Sequence, residues 1–212
     1  MRIDIFSDTV CPWCFIGKRH LEAALTKSKF GDADIHWHAF QLNPDLPPQG
    51  RDRREYLDAK FGGPENAERI YARVREAGKT DGIDFRFDKI TRSPNTFNSH
   101  RLIRLAETRN KVQDMVEALF YGYFLEGCDI GDDATLAALA NNAGIEDNIN
   151  SWLSGESERS AVLDDLRTGR EVGISGVPFF ILDNRYALSG AQPVEVFVRA
   201  LNAAQQKSRN IN

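Results

Sequence analysis

The apolar positions of this chain form strand-like runs near its two ends and helical stripes through its middle. Short apolar runs bounded by turn residues predict strands over residues 3–7, 35–40, 179–182 and 186–188. Apolar residues spaced three and four apart predict helices from Pro12 to near Gly31, over 64–78, over 111–126, from Asp132 to Gly144, over 157–172 and from Pro193 onward. Residues 83–88 alternate apolar and charged over a short span, which predicts a short extended connection.

This order of elements predicts one α/β layer that carries a helical insertion. A strand, a helix and a second strand at the start form a right-handed parallel unit, and the later strands join the same sheet. We expect residues 1–44 and 158–212 to fold together as one domain. Residues 45–157 are then a separate insertion domain of helices packed on the first.

Composition and charge narrow the classes of function. The chain has 212 residues, of which 42% are hydrophobic and 27% charged, as in an ordinary globular protein. Its 27 Lys and Arg are balanced by 31 Asp and Glu, so we expect no nucleic-acid partner. No apolar run approaches a membrane span, and Asp4 and Asp8 interrupt the start where a secretory signal would be apolar. We therefore expect no membrane partner and a cytoplasmic location.

The sequence Cys11-Pro12-Trp13-Cys14 lies where the first predicted strand gives way to the first predicted helix. Pro12 suits the first helical position, where its missing N–H would be unpaired anyway. Residues three apart in a helix lie about 5–6 Å apart at Cβ, close to disulfide reach. Free N–H groups and the helix dipole favour a thiolate at Cys11, which we interpret as the nucleophile. Cys14 lies one turn inside, where burial disfavours its anion, so it is the candidate resolving sulfur.

Other interpretations of these thiols remain open. A structural zinc site needs four ligands, and the chain adds only Cys128 and four scattered histidines to the pair, so we expect no metal site. Two unrelated core cysteines are a second alternative. His36 and His38 share a face of a predicted strand, which a half-exposed strand explains as well as a metal does. Cys128 is interpreted as a free thiol, with an auxiliary redox role as the alternative.

Cys-Pro-Trp-Cys after a first strand and Gly-Val-Pro-Phe-Phe before a later strand, with helices between them, resemble the DsbA family of thioredoxin-fold proteins. The pattern is more closely similar to the FrnE-like branch of that family. The segments that carry this closer resemblance are residues 7–19, 40–44, 95–96, 100–102, 131, 176–180 and 189–192. The resemblance implies an α/β thioredoxin fold with a large all-helical insertion, as in DsbA.

The resemblance also implies that Pro178 is cis and faces the disulfide. A cis bond before proline costs only about 0.5–1 kcal/mol over trans. Proline lacks an N–H, which leaves the backbone of Val177 free to pair with an extended peptide beside Cys11. The alternative from the residues alone is an ordinary trans proline at a strand start.

Four further residues are candidates for substrate binding. Pro12 and Trp13 belong to the motif itself, and the Trp13 ring either contacts partners or is partly buried under the insertion. Asn95 and His100 are candidates for lining the groove between the two domains. A structural, hydrogen-bonded role is the alternative for His100.

We therefore expect a cytoplasmic thiol–disulfide oxidoreductase or disulfide isomerase that works through a mixed disulfide. No bound cofactor is expected, and glutathione is a candidate redox co-substrate. Partners would be proteins or peptides with thiols or disulfides, and the sequence leaves monomer and homodimer open. One alternative is a glutathione-dependent isomerase or transferase, like the 2-hydroxychromene-2-carboxylate isomerases and kappa-class transferases. The other is a chaperone-like or zinc-binding module without enzymatic activity.

Overall fold

A mixed sheet built around the first strand forms the centre of the molecule. The computed structural model describes residues 1–28, 30 and 33–209, with side chains up to residue 205. The strands are β1 (Arg2–Ser7), β2 (Asp34–Ala39), β3 (Arg51–Asp52), β4 (Arg92–Ser93), β5 (Phe179–Leu182) and β6 (Tyr186–Ser189). The main sheet has the order β2-β1-β5-β6, with β1 parallel to β2 and the other pairs antiparallel.

Helices cover this sheet and fill the middle of the chain. Those of the described residues are α1 (Pro12–Ser28), α2 (Arg53–Phe61), α3 (Pro64–Thr80), α4 (Phe97–Thr108), α5 (Val112–Tyr121), α6 (Asp133–Asn142), α7 (Ile149–Leu153), α8 (Arg159–Glu171) and α9 (Val194–Arg209). Each is too short or too polar to cross a lipid bilayer. A 3₁₀ turn (Phe87–Lys89) precedes α4, and a π-helical turn (Gly122–Glu126) extends α5.

A cluster of aromatic rings ties the start of α1 to the middle of the chain. The ring of Phe15, on α1, stacks on Phe120 of α5 with the centroids 5.1 Å apart. Phe85 meets Phe15 edge-on at 6.1 Å, and Phe124 packs against both Phe85 and Phe120. All four side chains are buried. Since aromatic pairs add to the burial of their area, this cluster fixes the first turn of α1 firmly.

The strands and most of the helices agree with the pattern of apolar positions. The start of α1 at Pro12 is confirmed, whereas the stop expected at Gly31 lies outside the described residues. Residues 83–86 form a connection that pairs with no strand among the described residues, as their short alternation of apolar and charged residues predicts, whereas Phe87 and Asp88 belong to the 3₁₀ turn. The insertion over residues 45–157 was predicted to be all-helical, but the two-residue strands β3 and β4 within it pair with each other. The division of the chain after residues 44 and 157 stays a prediction.

Three helices in the described part of the chain were not predicted. α7 has only five residues, too few to show an apolar period; the other two are α2 and α4. α2 has no buried residue, so no apolar stripe marks it, and it is stabilised instead by its N-cap, where Asp52 accepts hydrogen bonds from the N–H groups of Arg54 and Glu55. α4 buries the polar side chains of Ser99, His100 and Arg101 together with four apolar ones, namely Leu102, Ile103, Leu105 and Ala106. The buried polar residues interrupt the apolar period, so a search for apolar periodicity misses this helix.

His38 lies between two buried carboxylates and joins helices to the sheet. Its Nε2 is 2.8 Å from Asp4 Oδ1, and its Nδ1 is 2.8 Å from Asp165 Oδ1. Asp165 also accepts a 3.0 Å hydrogen bond from the N–H of Ala39 and pairs with Arg104. Burial alone would raise the pKa of Asp165, but the hydrogen bonds from His38 and Ala39 and the charge of Arg104 outweigh it and lower that pKa.

Replacing Asp165 with asparagine should lower the free energy of unfolding by about 3 kcal/mol at neutral pH, because the partly buried guanidinium of Arg104 loses this counter-charge. A carboxyl whose pKa is lowered on folding stabilises the fold above its unfolded pKa of about 3.9, and this contribution is lost as the pH falls through the folded pKa. The difference between wild type and variant should therefore be complete at pH 7 and shrink below about pH 4.

Denaturant unfolding of wild type and variant, at pH 7 and at a pH below about 4, measures this difference in stability. Asp164 lies next to Asp165 on α8, with its side chain 59% exposed, and Asp164→Asn is the matched control. The control should change stability by less than about 0.5 kcal/mol. Equal losses in the two variants at pH 7 would contradict the assigned role of Asp165.

Candidate active site

The two motif cysteines are adjacent free thiols at the start of α1. Cys11 directly precedes α1, and its N–H donates to the carbonyl of Asp8 at 3.0 Å. The N–H of Cys14 donates to the carbonyl of Cys11 at 3.0 Å, which closes the first turn. Cys11 is 3% and Cys14 1% exposed. The turn that begins the helix therefore holds both sulfurs in a fixed relation.

Environment distinguishes the two thiols. Burial raises the pKa of the Cys14 thiol well above its usual range, and the neighbouring Cys11 thiol raises it further. The Cys14 thiol is therefore protonated at neutral pH. This environment fits a resolving role for Cys14 and leaves Cys11 as the candidate attacking sulfur.

The loop before β5 lies directly against the turn at the start of α1 that carries Cys11 and Cys14. The Val177–Pro178 peptide bond is cis, and Cys11 Sγ is 3.5 Å from the carbonyl oxygen of Val177. Gly17, one turn and a half into α1, packs against this loop. A Cβ at Gly17 would lie 3.0 Å from Pro178 Cγ and 3.1 Å from the ring of Phe180. The absence of a side chain at Gly17 thus lets the loop approach the helix that carries the thiols.

A cavity of about 240 Å³ opens beside Cys11 and extends under α2 and α3. Its floor includes the buried side chains of Phe87, Tyr123 and Phe124. Its lining residues are Val10, Cys11, Pro12, Trp13, Leu42, Asn43, Arg53, Tyr56, Lys60, Phe61, Ile70, Tyr71, Val74, Phe87, Ser93, Pro94, Tyr123, Phe124 and Val177. Trp13, Leu42 and Ile70 are large apolar side chains exposed at about 40% each, so the cavity has an apolar rim.

Four of the candidate site residues line this cavity together, namely Cys11, Pro12, Trp13 and Val177. The Trp13 ring is 41% exposed, which fits contact with a partner better than burial under the insertion.

Asn95 and His100 do not line the cavity beside Cys11, and a substrate-binding role for either stays a prediction. The Asn95 amide donates to the carbonyl of Leu46 at 2.6 Å, and its oxygen accepts from Gln41 at 3.1 Å, so the side chain connects two loops. His100 is 3% exposed and donates from Nε2 to the carbonyl of Phe40 at 3.1 Å. Buried hydrogen bonds already use both side chains, and the structural alternative for His100 fits the structure.

Asp8 was not predicted as a site residue, although it supports the turn that carries the two motif cysteines. Its side chain is fully buried, and Oδ2 accepts a 2.7 Å hydrogen bond from the N–H of Leu42. Oδ1 lies 3.5 Å from Nε2 of His100. Asp8 therefore holds the loop after β2 beside the loop that carries Cys11. Its signal in the sequence was only a lone acidic residue three positions before the motif.

The remaining histidines and the third cysteine lie away from the motif cysteines. His36 contacts Asp34 and Glu107, and His38 lies in the carboxylate network of β1 and α8. Burial and then the charge of Glu126 raise the pKa of the Cys128 thiol. Within the described ranges, no group of three or more His, Cys, Asp or Glu side chains is arranged to hold a metal ion.

A four-stranded mixed sheet, a Cys-x-x-Cys turn at the start of its first helix and a cis-proline loop against that turn define a thioredoxin-fold protein with redox-type cysteines. The chain belongs to the DSBA-like thioredoxin domain family, which matches residues 2–202. The DsbA-like fold expected from the motifs is thereby confirmed.

Similar proteins support this membership. The uncharacterized protein YwbO of Bacillus subtilis (strain 168) is 27% identical over 209 residues, 98% of each chain. The probable DsbA oxidoreductase SCO1869 of Streptomyces coelicolor is 32% identical, with a TM-score of 0.88 over 97% of this chain and 90% of that one. The cytosolic disulfide reductase DsbM of Pseudomonas aeruginosa shares the fold at 19% identity, with a TM-score of 0.69 over 97% and 99% of the two chains. DsbM has also been solved with GSH.

Proposed function

We propose that this protein is a cytoplasmic thiol–disulfide oxidoreductase. Disulfide isomerase activity would use the same thiol–disulfide exchange at the same two cysteines. The family of the protein and its pair of free cysteines support the general class. The observation that carries the proposal is the contrast between Cys11, which lines the cavity, and Cys14, which does not line it and whose pKa burial raises. An attacking sulfur needs access, whereas a resolving sulfur needs to stay protonated until the mixed disulfide exists.

The reaction proceeds by two exchanges of sulfur partners. The Cys11 thiolate attacks one sulfur of a disulfide, whose S–S bond breaks and releases a thiolate. Cys14 loses its proton to the departing thiolate and attacks Cys11 Sγ, which releases the second substrate sulfur as a thiolate and leaves a Cys11–Cys14 disulfide. The protein pair gives up two electrons to the substrate disulfide; one proton comes from Cys14, and the second comes from the solvent, which took up the Cys11 proton when that thiol ionised. The carbonyl of Val177 beside Cys11 is the backbone group available to align the substrate.

Glutathione is the redox co-substrate that we propose, and the cytoplasm is the compartment. The printed name of Pseudomonas DsbM, a cytosolic disulfide reductase solved with GSH, supports both points as an analogy of fold. Disulfides formed in a reducing compartment are usually transient and catalytic, which agrees with a working pair of thiols.

A redox titration in glutathione buffers tests the proposed function. We expect a single two-electron transition in which only the Cys11–Cys14 disulfide forms, with a potential between about −270 and −120 mV, the span of dithiol proteins of this fold. The Cys128→Ser variant is the matched control and should give the same midpoint. If no intramolecular disulfide forms at any glutathione ratio, the proposed function is wrong.

The glutathione-dependent isomerase is the competing function, and Cys14 separates the two. An isomerase needs one residue that activates glutathione, so isomerisation of a hydroxychromene carboxylate would survive Cys14→Ser. Two-step exchange requires the second sulfur and would not survive.

A further inference from the structure

The cavity beside Cys11 carries two cations and no carboxylate. Arg53 and Lys60 both lie on α2 and line this cavity, and none of its lining residues is Asp or Glu. This contrasts with the chain as a whole, whose acidic residues outnumber its basic ones by 31 to 27. A local excess of positive charge in a cavity with apolar walls attracts an anion.

Neither cation is neutralised by an ion pair with any carboxylate in the described part of the chain. Arg53 donates to Ser93 Oγ at 3.2 Å and to the hydroxyl of Tyr71. Lys60 donates to Asn43 Oδ1 at 2.8 Å and to the hydroxyl of Tyr56 at 2.6 Å. These partners are neutral and position the two side chains without cancelling their charge. A guanidinium has five N–H donors, so Arg53 keeps donors for a ligand.

Tyr123 also lines this cavity, and its side chain is 2% exposed. A phenolic hydroxyl both donates and accepts hydrogen bonds, so it is a further polar group available to a ligand that enters the cavity.

We propose that Arg53 and Lys60 form an anion subsite, and that the thiol or disulfide exchanged at Cys11 is a small compound carrying a carboxylate. This rests on the proposed function, because it names the class of substrate for the same two thiols. The buried aromatic floor closes the cavity, whose volume of about 240 Å³ lies below the range of drug-sized ligands. The cavity therefore suits a compact compound with its sulfur and its anion a few atoms apart. Arg53 is partly buried, so water screens its charge less than it screens that of the exposed Lys60.

The chemical step with a small disulfide is the one described above. The Cys11 thiolate displaces one acidic thiolate, and Cys14 displaces the second, which gives two molecules of the acidic thiol and one protein disulfide. The subsite contributes binding and orientation while the sulfurs carry the electrons.

Three small disulfides of different charge test the subsite. The probes are 3,3′-dithiodipropionate, which carries two carboxylates, neutral bis(2-hydroxyethyl) disulfide and cationic cystamine. Rates of oxidation of the reduced protein are measured for each and divided by the rates with a free model thiol, which removes intrinsic reactivity. We expect the anionic probe to react about tenfold faster than the neutral one and the cationic probe to react slowest.

Variants of α2 assign this preference to its residues. Arg53→Gln and Lys60→Gln should each lower the ratio of anionic to neutral rates about threefold, and the double variant should abolish the preference. Arg53→Lys keeps the charge and should retain it even where the contacts to Tyr71 and Ser93 are altered. Arg54 is the next residue on α2, is exposed and does not line the cavity, so Arg54→Gln is the matched control and should leave the ratio unchanged.

The outcomes separate the subsite from the proposed function. Equal normalised rates for the three probes, or an equal effect of Arg54→Gln, would overturn the subsite and leave the redox function standing. Failure of the wild type to react with any probe would overturn the redox function itself. An excess of a cysteine-free acidic peptide should not slow the anionic probe. Competition by that peptide would overturn the assignment to a small ligand.

Discussion

Replacing Cys11 with serine is expected to lower the rate of thiol–disulfide exchange by at least about 10³-fold. A serine oxygen forms no disulfide and is not ionised near neutral pH, so neither the attack nor the mixed disulfide remains available. Cys14 cannot replace it, because burial keeps that thiol protonated and away from the cavity. The measurement is the rate at which the reduced protein opens a small fluorescent disulfide.

Cys128→Ser is the control for this experiment. It removes the third thiol of the chain, which lies outside the cavity beside Cys11, and should change the rate less than twofold. Comparison of the unfolding curves of the two variants excludes a general loss of structure. Equal exchange by Cys11→Ser and wild type would remove Cys11 from the mechanism.

Replacing Cys14 with serine is expected to have a different effect, namely accumulation of a long-lived mixed disulfide. Cys11 can still attack, but the sulfur that would release the substrate by an intramolecular reaction is missing. Since such a reaction corresponds to a high effective concentration, turnover should fall about 10²-fold or more. Added small thiol should release the trapped substrate and restore part of the turnover. The adduct is measured by mass spectrometry of the intact protein.

Loss of the adduct from Cys14→Ser as fast as turnover in wild type would contradict the assigned order of the two sulfurs. It would also favour the isomerase, in which a single residue suffices.

The parts of the fold that could be predicted are those with local signals. β1 and α1 follow from an apolar run and from Pro12 at the first helical position, and the motif cysteines lie between them. The family resemblance depended on the same residues, together with the loop before β5. Each of these features lies within one short segment of the sequence, so the spacing of apolar residues and the turn residues are enough to predict it.

The anion subsite could not be predicted, because it depends on a helix without a buried face. α2 is marked only by its capping residue, and nothing in its sequence places Arg53 beside Cys11. For His100 the sequence did suggest a site. Its position in a family motif predicted a place in the substrate-binding groove, whereas the packing of α4 buries its side chain against the carbonyl of Phe40. Contacts between segments distant in sequence decide both outcomes.

The most direct test of the account is to identify the sulfur that carries the trapped substrate. Cys14→Ser protein is reacted with the same small disulfide, excess reagent is removed, and the adduct is located by peptide mapping without reduction. The account predicts one substrate bound to Cys11, released by added thiol, with Cys128 unmodified. An adduct found on Cys128, or no adduct at all, would contradict the claim that Cys11 attacks and Cys14 resolves.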